Sequence, residues 1–459
     1  MEVASVSPLV ATHYYMGLKE AAPGIEAAYR ARTPSSARLA QDACMVLPGG
    51  STRQGVSRRP YPLYLSGGSG SHIRDVDGRE LVDFWFNATA LPLGHADPRV
   101  VAAVTEQLPK GTAYFAPTEL ELKLARRICQ RLPSAERVFF LNTGGEAVMM
   151  ALRIARSCTG RPLVGKCEGS FHGNHDDVLW SIAPTADDCG PADAPVPVAA
   201  SGGLLPPHGR TVILPFNDLD AVQRIVEREA SRLAAIIVEP AANRMGLVPP
   251  RPGFLEGVRE LCTRYGILLI FDEVLCFRAS YHGMQGLLGV TPDLTTLGKI
   301  IGGGFPVGAV AGRAESLAVL EADRPAHVYH TGTFAANPVT LTAGLTTLDA
   351  LTPEAFDVLN GKGARVRQGL LRICRGLPLQ ITGIGSLFKI SATTRELLNY
   401  RSTLTADMQW QEIASLALLN EGFFLTPQLH GCVATSTTDE QIDAFLLAFE
   451  RLVRGHGAH

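Results

Sequence analysis

Five short runs of this 459-residue chain are continuously apolar rather than alternating, and they restrict its fold more than any other feature. They are RVFFLN (137–142), LVGKCEG (163–169), TVILPF (211–216), AAIIVEP (234–240) and ILLIFDEV (267–274). A strand that is apolar on both faces is one covered on both faces, the condition of a parallel sheet flanked by helices. Helical stretches lie between the runs. EAVMMALRIARSC follows the first, with small and apolar residues over most of its surface and its arginines on one side. GFLEGVRELCTRYG separates the last two and is closed by Gly266 as a C′ residue. Strand, helix and strand in that order predict an α/β fold with a mostly parallel sheet.

From about residue 340 helical patterns dominate, with ITGIGSLFKIS and GFFLTP as the expected strands of a smaller C-terminal α/β domain. The expected division is an N-terminal segment over 1–85 (a helix and a small sheet packing with the C-terminal domain), a large domain over 86–335 and a small one over 336–459. The Pro-, Ala- and Gly-rich stretch 184–209 predicts a long loop, either a lid or a plain surface excursion. No internal repeat is evident.

Composition narrows the function. Hydrophobic residues make up 46% and charged ones 19%, with a net charge of −2 and no basic stripe, which disfavours nucleic acid as a partner. No apolar run approaches the roughly 18 to 20 residues of a membrane helix. The nine cysteines form no CxxC pair, and reduced thiols in a cytoplasmic protein are the expectation.

Three features could carry chemistry. In FLNTGGEAVMM (140–150), Thr143 and Glu146 have the spacing of a capping box, which alone could explain both. Gly144 and Gly145 would let a phosphate approach the helix N-terminus, although the sequence is neither a Walker motif nor GxGxxG. Asp272 and Glu273 end an apolar strand, where open parallel sheets bind ligands, or where acids cap a following turn. Lys299 stands in the apolar run LTTLGKIIGGGFPVGAV (294–310), in a chain with seven lysines against thirty-five arginines. It either snorkels to solvent or is a desolvated, reactive amine. A phosphate-binding helix end, a carboxylate and a lone lysine, each at a strand terminus, match what pyridoxal 5'-phosphate requires.

The chain resembles the fold-type I, class III aminotransferases, in the branch of glutamate-1-semialdehyde 2,1-aminomutase. The similarity runs from PGGSTRQGV (48–56) to TTDEQIDAFLLAFERL (437–452), through DVDGRELVDF, LGHADPRVVAAV, APTELELKLA, FDEV, GVTPDLTTLGKIIGGGFPVGA and TGTFAANP. It implies a large, mostly parallel sheet domain with helices on both faces plus a smaller α/β domain, and pyridoxal phosphate as cofactor. Lys299 would be the Schiff-base lysine and proton carrier, and Asp272 would keep the pyridine nitrogen protonated. Val274 would pack on the ring, and Thr143, Gly144 and Gly145 would cradle the phosphate. Phe171 and His172 would lie beside the ring. Thr333 would reach the phosphate of the other subunit, implying a homodimer. Lysine rather than arginine is then required at 299, because a permanently protonated guanidinium cannot form an imine.

Several positions depart from the aminomutase pattern. Phe171 in EGSFHG replaces a stacking tyrosine, Arg244 in EPAANRMG an asparagine, Ala88 in FWFNATALPLGH a tryptophan, and His430 in TPQLHGCVATS a glutamate. DEVLCFR is one residue shorter than usual. PGGSTRQ is similar to β-amino-acid aminotransferases, in which the arginine at the position of Arg53 binds the substrate carboxylate. Arg53, Arg244, His430 and Ala88 are therefore the substrate-side candidates. His172 and His175 have a metal-like spacing but no third ligand nearby, so no metal is expected. The resemblance implies an aminotransferase acting on a carboxylate-bearing amino acid or amine, with an aminomutase or epimerase as alternatives and a catalytically inactive binding protein as the non-enzyme reading.

Overall fold

The computed structural model describes residues 8–204, 210–324 and 327–455, in two compact units. One unit comprises Pro98–Asp357 with Leu397–Leu404. Its sheet has seven strands: β1 (Arg137–Leu141), β2 (Leu163–Cys167), β3 (Thr211–Leu214), β4 (Leu233–Val238), β5 (Leu268–Asp272), β6 (Leu294–Gly298) and β7 (Gly308–Gly312). Their order is β1-β7-β6-β5-β4-β2-β3, with β7 antiparallel to both neighbours and the other pairings parallel. The expected mostly parallel sheet is thus present, and all five apolar runs are strands of it.

Alternation within β4 and β5 shows why these runs carry no polar face. Ile236, Val238, Leu269 and Phe271 pack with the Leu219–Glu229 and Phe254–Tyr265 helices. Ala235, Ile237 and Ile270 point the other way, onto the Gly144–Thr159 helix. Successive side chains go to opposite faces, so both faces must be apolar. Each fully buried Ile or Phe contributes about 1.5–3 kcal/mol. Gly266 ends its helix in the left-handed region, at φ 60°, as its C′ placement required. Because β4, β5 and β6 run in parallel, the residues at their carboxyl ends, Glu239, Asp272 and Lys299, emerge on one edge.

Residues 184–204 form no strand or helix beyond an isolated bridge between Trp180 and Ala199, and 205–209 lie outside the described residues. Arg401 pins this loop by donating to the carbonyls of Cys189, Gly190 and Pro191 and to the Glu168 carboxylate. The Tyr400 hydroxyl donates to the Pro184 carbonyl at 2.9 Å.

The other unit comprises Met1–Asp97, Val358–Glu396 and Thr405–His459. An antiparallel meander of Leu65–Ser69, His72–Asp75 and Glu80–Asp83 is extended in parallel by Phe423–Phe424. A three-stranded antiparallel sheet is built from Gln380–Thr382, Leu387–Ser391 and His430–Cys432. ITGIGSLFKIS is therefore a hairpin rather than one strand, bent at Gly383 and Gly385, both at positive φ. Its third partner, His430–Cys432, is too short to show a period. Tyr14, Phe84, Phe388, Trp410 and Phe445 share this unit's core. Among the described residues no helix is long and apolar enough to cross a membrane.

Lys389, on Leu387–Ser391, is buried and donates to the Gln428 carbonyl. Burial lowers its pKa from 10.5 to about 7. Below about 7 the amine is charged in both folded and unfolded chains, so folding bears the full burial penalty. Between about 7 and 10.5 the unfolded chain binds more protons than the folded one, and the penalty fades. Denaturant midpoints should rise from pH 7 to pH 10 more steeply in the parent than in Lys389→Met. Equal slopes would show that Lys389 is not buried as described.

Candidate active site

Lys299 leaves β6 with φ +50°, in the left-handed region, and opens a 3-10 turn to Gly302. For a residue with a Cβ this conformation costs about 1–2 kcal/mol, and such residues cluster where geometry serves function. Burial depresses the amine's pKa, opposed by the neighbouring Glu239 and Asp272 carboxyl groups and reinforced by Arg278. The glycines behind it serve packing: a Cβ at Gly303 would lie 2.4 Å from the Ala343 carbonyl oxygen, on the Pro338–Ala350 helix.

Asp272, the last residue of β5, is 4% exposed and held by three donors. The Thr296 hydroxyl and the Val274 N–H donate to Oδ1 at 3.0 and 3.1 Å. His172 Nδ1 lies 2.8 Å from Oδ2. Burial lowers the pKa of His172, against the pull of Asp272. A neutral ring that donates through Nδ1 carries its lone pair on Nε2. That atom is buried and has no hydrogen-bond partner among the described residues.

The Gly144–Thr159 helix starts beside this carboxylate. Thr143 Oγ1 accepts from the Glu146 N–H at 3.1 Å. Glu146 reaches back past the cap to the N–H of Asn142 at 2.8 Å, so one arm of the expected capping box is displaced by a residue. A Cβ at Gly144 would meet Val274 at 2.8 Å, and one at Gly173 would meet the Gly145 Cα at 2.6 Å. These contacts keep side chains away from the first free N–H groups of the helix, where an anion is favoured. The buried amine of Lys299, the tethered anion of Asp272, the unpartnered His172 Nε2 and this bare helix end fit pyridoxal phosphate.

Sequence reasoning passed over two groups here. Glu239 ends the run AAIIVEP, so the strand-end rule that singled out Asp272 applies to it equally. Its Oε2 accepts from the Phe171 N–H at 2.9 Å, and burial, then the nearby Asp272 charge, push its pKa up to about 8. Thr296 gives no sequence signal, because only strand pairing brings its hydroxyl to Asp272. Glu273 turns away, accepting from the N–H of Met284 at 2.7 Å and from the Gln285 amide at 3.0 Å. It is the turn-capping acid.

The remaining candidates are divided between the two units. Thr333 is exposed, and Gly332 beside it lies against the Asn142 amide. Arg244 is exposed on the turn after β4. His175 caps the Asp176–Val178 turn. Arg53, Ala88 and His430 belong to the other compact unit. Arg53 Nη1 donates to Asn87 Oδ1 at 3.1 Å. Ala88 lies in a left-handed turn, Phe86–Thr89, in which every φ is positive. His430 is buried, its ring 6.2 Å from that of Trp85.

A family model for class-III aminotransferases matches residues 54–453. Glutamate-1-semialdehyde 2,1-aminomutase 2 of Geobacillus kaustophilus is 41% identical over 421 residues, which are 90% of this chain and 96% of that protein. The crystal structure of an omega-transaminase from Sphaerobacter thermophilus is similar at 44% identity and a TM-score of 0.88, over 92% of this chain and 98% of that one. A beta-phenylalanine aminotransferase from Variovorax paradoxus matches at 32% identity and a TM-score of 0.88, over 96% and 98%. The chain, with its amine and carboxylate at the ends of neighbouring parallel strands, belongs to the class-III aminotransferases, enzymes that work with pyridoxal phosphate.

Proposed function

We propose that this enzyme transfers an amino group between a keto acid and an amino compound whose carboxylate lies beyond the α-carbon, a β- or ω-amino acid. The observation that carries the reading is the pairing of β5 with β6, which sets Asp272 and Lys299 at adjacent strand ends. Pyridoxal phosphate, when bound, supplies a ring that absorbs the negative charge left as a substrate carbon loses its proton. Lys299 would bond the cofactor and carry that proton, its burial favouring the neutral amine that can accept it. Asp272 would hold a proton on the ring nitrogen, since an opposite charge at contact raises such a pKa by roughly 1–3 units. Val274 and Phe171 would bracket the ring, and Thr143, Gly144 and Gly145 would hold the phosphate. Likeness to an omega-transaminase and a beta-phenylalanine aminotransferase supports this substrate class, with Arg53 as the proposed carboxylate anchor. The aminomutase reading keeps its own support in the 41% identity to the Geobacillus protein.

A homodimer is part of the proposal. Phe115 is wholly exposed, and Tyr329 and Phe334 are 74% and 63% exposed, all within one unit that also carries exposed Thr333. Exposed aromatics of this size are side chains that a subunit interface would cover. Sedimentation should give twice the 49.1 kDa chain mass, and a monomer at micromolar concentration would refute it.

The substrate is tested by following the visible spectrum of the pyridoxal phosphate-loaded protein through single additions of α-, β- and ω-amino acids. A transaminase gives a pyridoxamine spectrum and one equivalent of keto product. For that substrate Arg53→Ala should raise KM about tenfold or more, the worth of a charged hydrogen bond. Isomerised substrate with no keto product would transfer the conclusion to the aminomutase. A Lys299→Ala protein that still turns over would contradict both.

A further inference from the structure

A fully buried lysine, Lys166 on β2, takes no part in the chemistry above. Its Nζ donates to the carbonyl of Ser170 at 3.1 Å and to that of Trp180 at 2.6 Å. These two carbonyls bracket the irregular segment that carries Phe171 and His172. Glu239 grips the same segment from β4, accepting from the Phe171 N–H at 2.9 Å. The Ser170 carbonyl and the Phe171 N–H belong to one peptide group. That group therefore has an amine at its oxygen end and a carboxyl at its nitrogen end, aligned with its dipole. The Ser170 hydroxyl ties the segment once more, donating to the Cys167 carbonyl at 2.6 Å.

We infer that Lys166 and Glu239 form a clamp on the Ser170–Phe171 peptide that positions Phe171 and His172 against the cofactor. A buried amine whose hydrogen bonds, among the described residues, go to two backbone carbonyls is an expensive way to fill space, and an apolar side chain would fill it at lower cost. Gly169 and Gly173, at φ +76° and +91°, flank the clamped peptide in backbone conformations that a residue with a Cβ adopts only at a cost. The next residue, His172, delivers its Nδ1 to Asp272, so a shift of the peptide moves both the stacking ring and the imidazole. Lys166 and Glu239 are positioning residues, acting through the segment they hold. The inference rests on Phe171 and His172 being cofactor contacts.

The test compares full-length Lys166→Met and Glu239→Gln with the parent. Amide hydrogen exchange at Phe171 is measured without cofactor, and the visible band is then titrated with pyridoxal phosphate. The clamp predicts exchange about tenfold faster over 170–173 in Lys166→Met, and a smaller rise in Glu239→Gln, which keeps an acceptor. Both variants should bind pyridoxal phosphate about tenfold more weakly, with a displaced absorption maximum. A Lys166→Met protein that melts with the parent and exchanges Phe171 at the parent rate overturns the clamp. Faster exchange with unchanged affinity and band overturns its link to the cofactor. If Lys166→Met does not fold, Glu239→Gln decides, and parental affinity and band in it overturn the inference. A parent that gives no visible band defeats the functional reading instead, while the exchange rates still decide the clamp.

Discussion

A buried carboxylate with a full set of donors organises this site. Asp272 lies at the end of a strand covered on both faces, where an unpaired anion could not persist. Three donors from three segments answer it: the Thr296 hydroxyl from the neighbouring strand, the Val274 N–H from the following turn, and His172 from the loop after β2. Its charge then sets its neighbours. Glu239 keeps a proton up to about pH 8, through burial and then through repulsion from Asp272. His172 has one tautomer to offer, and Lys299 is pulled toward the charged state against its burial. The site is a set of ionisable groups tuned by one anion.

The sheet makes that tuning possible. Parallel strands align their carboxyl ends, so residues 239, 272 and 299 meet although they are far apart in the chain. The left-handed backbone of Lys299 is a local strain held in place by the packed layer beneath, and Gly303 lets the chain approach the Pro338–Ala350 helix closely. Gly144 follows the same logic, since any side chain there would strike Val274.

What was legible in the sequence follows from this physics. Burial on both faces leaves a continuous apolar run, so five of the seven strands were legible as such runs, and Asp272 and Lys299 stand out as charges at strand ends. The Thr143 cap and the Gly266 helix end were legible because they depend on neighbours in sequence. Glu239 was legible by the strand-end rule that singled out Asp272. Thr296 and Lys166 were not, because a threonine or a lysine inside a strand says nothing until its partners on other segments are known. The same holds for His430–Cys432, three residues whose strand state comes wholly from pairing with Leu387–Ser391.

The central claim, that Asp272 fixes the proton on the cofactor ring, is tested most directly by the nitrogen-15 shift of labelled pyridoxal phosphate bound to the parent and to Asp272→Asn. The account predicts a ring nitrogen that stays protonated in the parent from about pH 6 to pH 9 and loses its proton within that range in the variant. Turnover should fall by about a hundredfold or more in the variant. A ring nitrogen equally protonated in both proteins, with turnover retained, would contradict the account.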